Sequence, residues 1–487
     1  MAIDSHHPAY VKKAALWEKI EHVYEGEERI KEEGDKYLPP MSGMILDGMA
    51  KGQQGRKNYE NYKDRAIFRG YFKDAVDTLT GIMHNKPPHI ELPDEMQPLR
   101  KWASADGESL DLVMRRITQY QLTYGRTGLL LEVPSGRSPA ETVPYFAIYT
   151  APRIINWNAG MREQGDIFTR LVVLDESAWE MDPMSFEWQY INKYRVLRLH
   201  PETDQYQVAV KRTTEESALV EEEDWITPHI AGQTLSRIPF QFINAKDLSP
   251  DPDVPPMLQL ANLDLAIYRN EADYQYNLHW QSQETLVIIG GTDPFGGSEQ
   301  EQKRVGAGAF LEIPLEGDAK YIGVSADGLS EQRQALESDR DSATQQGSRM
   351  LSTKGGDQQS GDALRTRVAA QTASLPNIAR AGAEAMNDLL TMAAQWMLID
   401  SSKVLVEPNL DFTAEEMGGR EVFDLMQAKA MGAPLSNQSL HRLFKRKNLT
   451  ESNFEEELAD INSEGPMLPT AESLRGVQGV GGNADGE

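Results

Sequence analysis

Residues 256–283 read PMLQLANLDLAIYRNEADYQYNLHWQSQ, a run with no glycine and no proline after its first residue. That composition predicts one long helix, roughly 40 Å at about 1.5 Å per residue. Leu260, Leu263, Ile267, Tyr274 and Leu278 form one apolar stripe, and Ala261, Leu265, Tyr268 and Ala272 form a second beside it. Asp264, Glu271 and Asp273 fill much of the remaining surface. A helix apolar over so wide an arc needs packing partners on more than one side, within the chain or from neighbouring subunits. Taken alone, the run reads as an ordinary buried domain helix.

The flanks are organised around it. Upstream, Ser249-Pro250-Asp251-Pro252-Asp253-Val254-Pro255-Pro256 forbids regular structure and marks a boundary. Before that, Tyr59, Tyr62, Ala66, Val76, Leu79 and Met83 predict helix across 57–83, stopping before Pro87-Pro88. Leu112, Val113, Ile117, Tyr120 and Tyr124 predict another, with Gly125 as its stop. The period then changes to short β-branched and aromatic runs: 128–133, 145–149, 154–157, 168–174, 188–199 and 206–210. They predict an antiparallel β-rich layer. The acidic stretch 214–224 reads as a solvated loop or hairpin tip, since no fixed ligand spacing or histidine accompanies it.

Downstream, a compact excursion is predicted: strand Thr285 to Ile289, a turn-rich stretch 290–297, and strands at 309–313 and 320–324. Ser330 is a good N-cap for a helix to about Leu351, with Leu336, Ala343 and Met350 at seven-residue spacing. Residues 352–361 form a polar, Gly-rich loop without an apolar anchor, expected to be exposed and mobile. A long helix follows from about Asp362 to Trp396, carrying Leu364, Val368, Leu375, Ile378, Met386 and Leu389, with Met397 just beyond it. Pro376 lies in its interior, where a kink is expected. Residues 415–458 read as short helices with a turn near Gly432-Ala433-Pro434 and a basic cluster at Arg442, Lys445, Arg446 and Lys447. From Gly465 the chain is Gly-rich and reads as flexible; no internal repeat is visible.

Composition limits the chemistry. The 487 residues contain no cysteine, which excludes disulfides, thiolate metal sites and cysteine nucleophiles. The N-terminus lacks the basic and apolar segments of a signal peptide, His6 and His7 sit at what reads as a mobile start, and no apolar run approaches the length of a membrane helix. With 75 Asp plus Glu against 49 Lys plus Arg, the formal charge is −26, which is wrong for gripping nucleic acid by phosphate neutralisation. No phosphate loop, H-E-x-x-H, nucleophile elbow or EF-hand spacing occurs. Gly306-Ala307-Gly308 lacks the third glycine of a dinucleotide site, and the nine histidines are scattered. No catalytic residue, metal site or cofactor is expected.

The order of helix, small β excursion, returning helix, bare Gly-rich loop and kinked helix resembles the portal, or head-to-tail connector, proteins of tailed bacteriophages. Local strings agree: Tyr124-Gly125-Arg126-Thr127-Gly128-Leu129-Leu130-Leu131 and Ala151-Pro152-Arg153-Ile154-Ile155-Asn156-Trp157 resemble the wing of one subgroup. Ile238-Pro239-Phe240, then Pro255-Pro256-Met257-Leu258, resembles its approach to the stem. Ala428-Lys429-Ala430-Met431-Gly432-Ala433-Pro434-Leu435-Ser436 with Phe454-Glu455-Glu456-Glu457 resembles portal C-termini. The ordered set, over most of residues 57–460, carries the resemblance, and no single motif does.

The resemblance implies an α+β subunit: an N-terminal helical segment 1–56, a wing at 57–255, a stem helix at 256–283, a clip at 284–327, a second stem helix at 330–350 and a tunnel loop at 351–361. A kinked long helix with the second part of the wing follows at 362–414, then a helical crown at 415–464 and a tail at 465–487. It implies a ring of about twelve subunits at a capsid vertex of the virion, assembled in the bacterial host cytoplasm, through which double-stranded DNA is packaged and ejected. The implied partners are the terminase large subunit, the major capsid protein and a head–tail adaptor, with no membrane and no enzymatic role. Lys354, Gly355, Gly356, Gln358 and Gly361 would face the DNA channel, and Asp293, Pro294 and Phe295 of the clip would meet adaptor or terminase. The alternatives are another virion structural or head-morphogenesis protein, or a soluble hydrolase built from dispersed carboxylates.

Overall fold

The computed structural model describes residues 3–132, 143–161, 167–213, 224–230, 232–281, 285–289, 318–322, 326–348, 375–410, 412, 419–446, 450 and 452–464. It mixes helix and antiparallel sheet, so the chain is α+β. Two compact units divide at residues 412 and 413.

In the first unit, helices Pro8–Glu25, Glu27–Glu33, Gln54–Arg65 and Tyr71–Met83 pack with helix Leu258–Gln281 into one core. Trp17, Ile20, Tyr59, Tyr62, Phe72, Val76 and Leu79 meet Leu260, Ala261, Leu265, Tyr268 and Ala272 there. The N-terminal residues thus share the core of the rest of the unit. The start of the chain is pinned as well: Ile3 is buried, the His7 amide donates to the Ile155 carbonyl at 2.9 Å, and the His7 ring stacks on Trp157 at 4.0 Å. The expectation of a mobile His6-His7 start is therefore corrected from Ile3 onward.

A second core lies between helices Leu110–Tyr124 and Leu375–Trp396 and a three-stranded antiparallel sheet ordered Phe240–Asn244, Arg126–Glu132, Tyr145–Thr150. Gly125 ends the first of these helices in the left-handed conformation, φ 74°, and a Cβ there would lie 3.0 Å from Pro255. The opposite face of the sheet, through Leu130, Phe240 and Phe242, packs on strands Ile154–Met161, Ile167–Asp175 and Trp188–Leu199. These strands, with Tyr206–Thr213 and Ala178–Met181, make the antiparallel layer expected from the change of period.

Three readings are revised. The segment 57–83 is two helices, Gln54–Arg65 and Tyr71–Met83, because the chain turns extended at Ala66 and left-handed at Gly70. The returning helix is Ala326–Ser348, so Ser330 lies inside it and does not cap it. Asp264 and Glu271, placed on the polar remainder of the long helix, are each only 1 % exposed. The second unit contains helices Gly419–Ala430, Asn437–Arg446 and Phe454–Glu464, with a turn at Gly432, φ 101°, and His441 edge-on to Phe454 at 5.4 Å.

Candidate functional site

Helices Leu258–Gln281 and Ala326–Ser348 run antiparallel and bracket a hairpin of strands Thr285–Ile289 and Asp318–Ile322, paired from Thr285↔Ile322 to Ile289↔Asp318. Asn270 Nδ2 donates to Asp339 Oδ2 at 3.1 Å, and Asn277 Nδ2 donates to Gln332 Oε1 at 3.1 Å. One tie lies seven residues along the first helix and seven back along the second from the other, which fixes the register. The returning helix buries Leu329, Leu336 and Ala343, the seven-residue period read from Leu336 and Ala343. A 3.5-residue seam of this kind suits long, nearly parallel helix axes. Met350, the next member, lies outside the described residues.

The remaining contacts of the first helix explain its wide apolar arc. Tyr62 Oη donates to Asp273 at 2.6 Å, Lys19 Nζ to Asn262 at 2.7 Å, and the Phe72 amide to Asp264 Oδ2 at 3.0 Å. The N-terminal helices cover one side of this helix and Ala326–Ser348 another. Both apolar stripes find partners in the same chain, although Leu278 at the far end stays exposed.

Two buried carboxylates sit on this helix. Glu271 pairs with Arg340 across the helix pair, accepts from Gln275 Nε2 at 3.0 Å, and has Arg69 at 3.8 Å. Asp264 holds only the Phe72 amide, its Oδ1 being unpartnered among the described residues. Burial pushes its carboxyl up to about 6, the amide bond opposing and Asp74 adding.

Residues 256–397 match DUF4055, a domain of unknown function. The match covers under a third of the chain. It starts at Pro256 and takes in the helix pair, its hairpin and helix Leu375–Trp396. No curated protein matches. A solved structure described as the neck of an empty GTA particle computed with C6 symmetry is 14% identical, with a TM-score of 0.39, covering 82% of this chain and 97% of that one. A likeness of that size leaves fold and function to be argued from this chain's own residues.

Within the DUF4055 segment, the proposed clip residues Asp293, Pro294 and Phe295 and the proposed channel residues Lys354, Gly355, Gly356, Gln358 and Gly361 lie outside the described residues. Pro376 is the second residue of the described helix Leu375–Trp396. The turn before it, where the kink was expected, also lies outside them.

Other titratable clusters are committed to structure. Glu18, His22 and Glu33 bring ligand atoms within 4.8 Å of one another. Lys36 Nζ is already 2.8 Å from Glu18, and Arg29 is 2.8 Å from Glu33 and 3.1 Å from His22 Nε2. Those two cations supply the charge a metal would bring. Glu176 is buried, which raises its pKa, but bonds from Arg195, Lys193 and Tyr149 outweigh this and hold it down at about 2. Burial, with Arg115 nearby, pulls His84 down to about 4, and its Nε2 lies 2.9 Å from Thr118 Oγ1. Neither Glu176 nor His84 is poised to exchange a proton near neutrality.

Arg126, which stands in the Tyr124-to-Leu131 string, is a fully buried charge. It is 0 % exposed, its Cζ lies 4.2 Å from the Trp157 centroid and 4.3 Å from that of Phe242, and none of its nitrogens has a hydrogen-bond partner among the described residues. Burial pulls the guanidinium down to about 9, with Asp251 opposing. The two ring faces supply cation–π attraction in place of hydrogen bonds. No spacing rule announces an arginine of this kind.

Among the described residues, no helix is long and apolar enough to cross a membrane.

Proposed function

We propose that this chain is a portal subunit, the head-to-tail connector of a tailed-phage virion, forming a ring through which double-stranded DNA passes. The observation that carries the reading is the helix pair: two long antiparallel helices, locked in one register by polar ties a heptad apart, bracketing a strand hairpin and followed by helix Leu375–Trp396. That is the stem, clip, stem and long-helix order of the resembling family. The apolar arc of the first helix adds nothing to the reading, because partners within the chain cover it.

The charge agrees with a conduit. Walls built from chains of formal charge −26 repel phosphate over a Debye length of ~10 Å, so DNA passes without adhering. Residues 352–361 would narrow the channel, with Lys354 forming a ring of positive charge, and the hairpin end would meet the terminase large subunit and later an adaptor, with the wing against the major capsid protein. Catalysis belongs to the terminase. The test is the mass of the purified protein with negative-stain imaging. A ring of about twelve copies with a central hole supports the proposal; a monomer or dimer at every concentration ends it.

A further inference from the structure

The strand pair Ala178–Met181 and Trp188–Ile191 carries an exposed aromatic face. Among the described residues, strand Trp188–Leu199 pairs with Ile167–Asp175 and Tyr206–Thr213 from Asn192 onward, and its first residues pair with Ala178–Met181. The register sets Trp179 opposite Tyr190 and Met181 opposite Trp188. Since side chains alternate along a strand, these four share one face. Trp179 is 63 % and Trp188 62 % exposed, and Met181, Tyr190 and, at the turn, Met184 and Phe186 are exposed too. A contiguous exposed aromatic face of this kind marks an interaction surface.

The charges select the partner. Residues 178–190 contain Glu180, Asp182 and Glu187 and no Lys or Arg, so two such hairpins would repel each other. An interface between copies must therefore join unlike surfaces, and unlike, head-to-tail contacts are the kind that close into rings. The same unit offers the complement. Helix Ser42–Leu46 ends in exposed Ile45 and in Leu46, 87 % exposed, followed by exposed Lys51, Arg56 and Lys57. Across residues 42–57 the only acid is Asp47. Arg56 is engaged by Glu60, and Glu180 by Arg212, which leaves Glu187 with Lys51 and Lys57 as the charges best placed to meet.

We propose that the aromatic hairpin 178–190 of one subunit docks on the Ile45–Leu46 knob of the next copy, with Glu187 facing Lys51 and Lys57. The inference rests on the ring reading and names the contact that builds the ring. Asp182 is left out of the test because it shapes the turn, accepting from the Met184 amide and the Ser185 hydroxyl, each at 2.9 Å.

The test reads copy number by native mass spectrometry across a dilution series of the full chain, with circular dichroism to confirm folding. W179S/W188S changes only exposed side chains and is expected to raise the concentration needed for assembly by about tenfold or more. E187K and K51E/K57E are each expected to weaken assembly, and combining them to restore it. Folded W179S/W188S assembling like wild type, or charge variants whose defects add without recovery, would overturn the docking while leaving the ring reading intact. Normal rings that fail only to enter heads would assign the hairpin to another protein and also overturn it. A wild type that never assembles removes both proposals together.

Discussion

Asp264 caps a helix to which it does not belong: its Oδ2 accepts the Phe72 amide at 3.0 Å, at the start of helix Tyr71–Met83, whose own N-cap position is the left-handed Gly70 with no side chain to offer. A carboxylate at a helix N-terminus is favoured by the unpaired amides and the helix dipole. Here burial outweighs that gain and lifts the carboxyl to about 6. A raised folded-state pKa means the native chain holds the proton more tightly than the unfolded one. Asp264's contribution therefore falls as pH rises from about 3.9 to about 6, and the whole penalty, on the order of 3 kcal/mol for about two units, applies above that. Asp264→Asn keeps an acceptor for Phe72 and removes the titration. Urea midpoints should favour the variant above pH 6, with the advantage vanishing toward pH 4; an advantage that stays constant across that range would refute the assignment.

The Glu271–Arg340 pair makes a different demand. Glu271 is 1 % exposed, so removing the Arg340 guanidinium leaves a buried charge with only the more distant Arg69 at 3.8 Å and the Gln275 amide to offset it. Arg340→Met is expected to cost about 3–5 kcal/mol, and adding Glu271→Gln should recover much of it. The neighbouring polar tie is far cheaper: Asn277→Ala, which loses only the bond to Gln332, should stay within about 1 kcal/mol. Thermal or urea unfolding of the three variants checks this, and equal losses for Arg340→Met and Asn277→Ala would show that the pair does not anchor the register.

Arg126 predicts an inversion of the usual rule for buried side chains. Its nitrogens have no partner among the described residues, so an apolar chain of similar length loses cation–π attraction and gains relief from desolvation. Arg126→Met is expected to be neutral or stabilising by about 1–4 kcal/mol, whereas Trp157→Ala should cost about 3–5 kcal/mol. A severe loss in Arg126→Met would mean that buried water or an anion completes the guanidinium's bonds.

Periodicity was a good guide where a single face decides burial. Leu336 and Ala343 announce the seam of the returning helix, and the short apolar run at 128–133 announces strand Arg126–Glu132, which is buried at six successive residues and so shows no alternation. Residue type misleads where two apolar stripes enclose a polar residue. Asp264 follows Ala261 by three and precedes Tyr268 by four, and Glu271 follows Ile267 by four and Tyr268 by three, so each shares a face with residues already assigned to the core. Spacing alone placed them inside; their charge suggested water. The break at 66–70 was hidden for another reason. Gly70 marks the break locally, but the side chain that caps the second helix, Asp264, lies almost two hundred residues away, beyond the reach of any local window.

Residues 353–360 include Lys354, Gly355 and Gly356 and no apolar side chain. Glycine-rich backbone adapts its conformation cheaply, as a constriction around a moving duplex requires. If the portal reading holds, one lysine per subunit, repeated around a ring, would touch phosphate weakly at each point and release easily, because exposed contacts of this kind are screened by salt. Deleting 353–360 should leave rings that assemble normally and particles that lose packaged DNA, or fail to reach full packaging. Lys354→Ala should show a milder defect in the same direction, larger at low ionic strength than at high. Genome content measured per particle, before and after a salt challenge, reads both effects. Full packaging and full retention in the deletion variant would remove this loop from the channel.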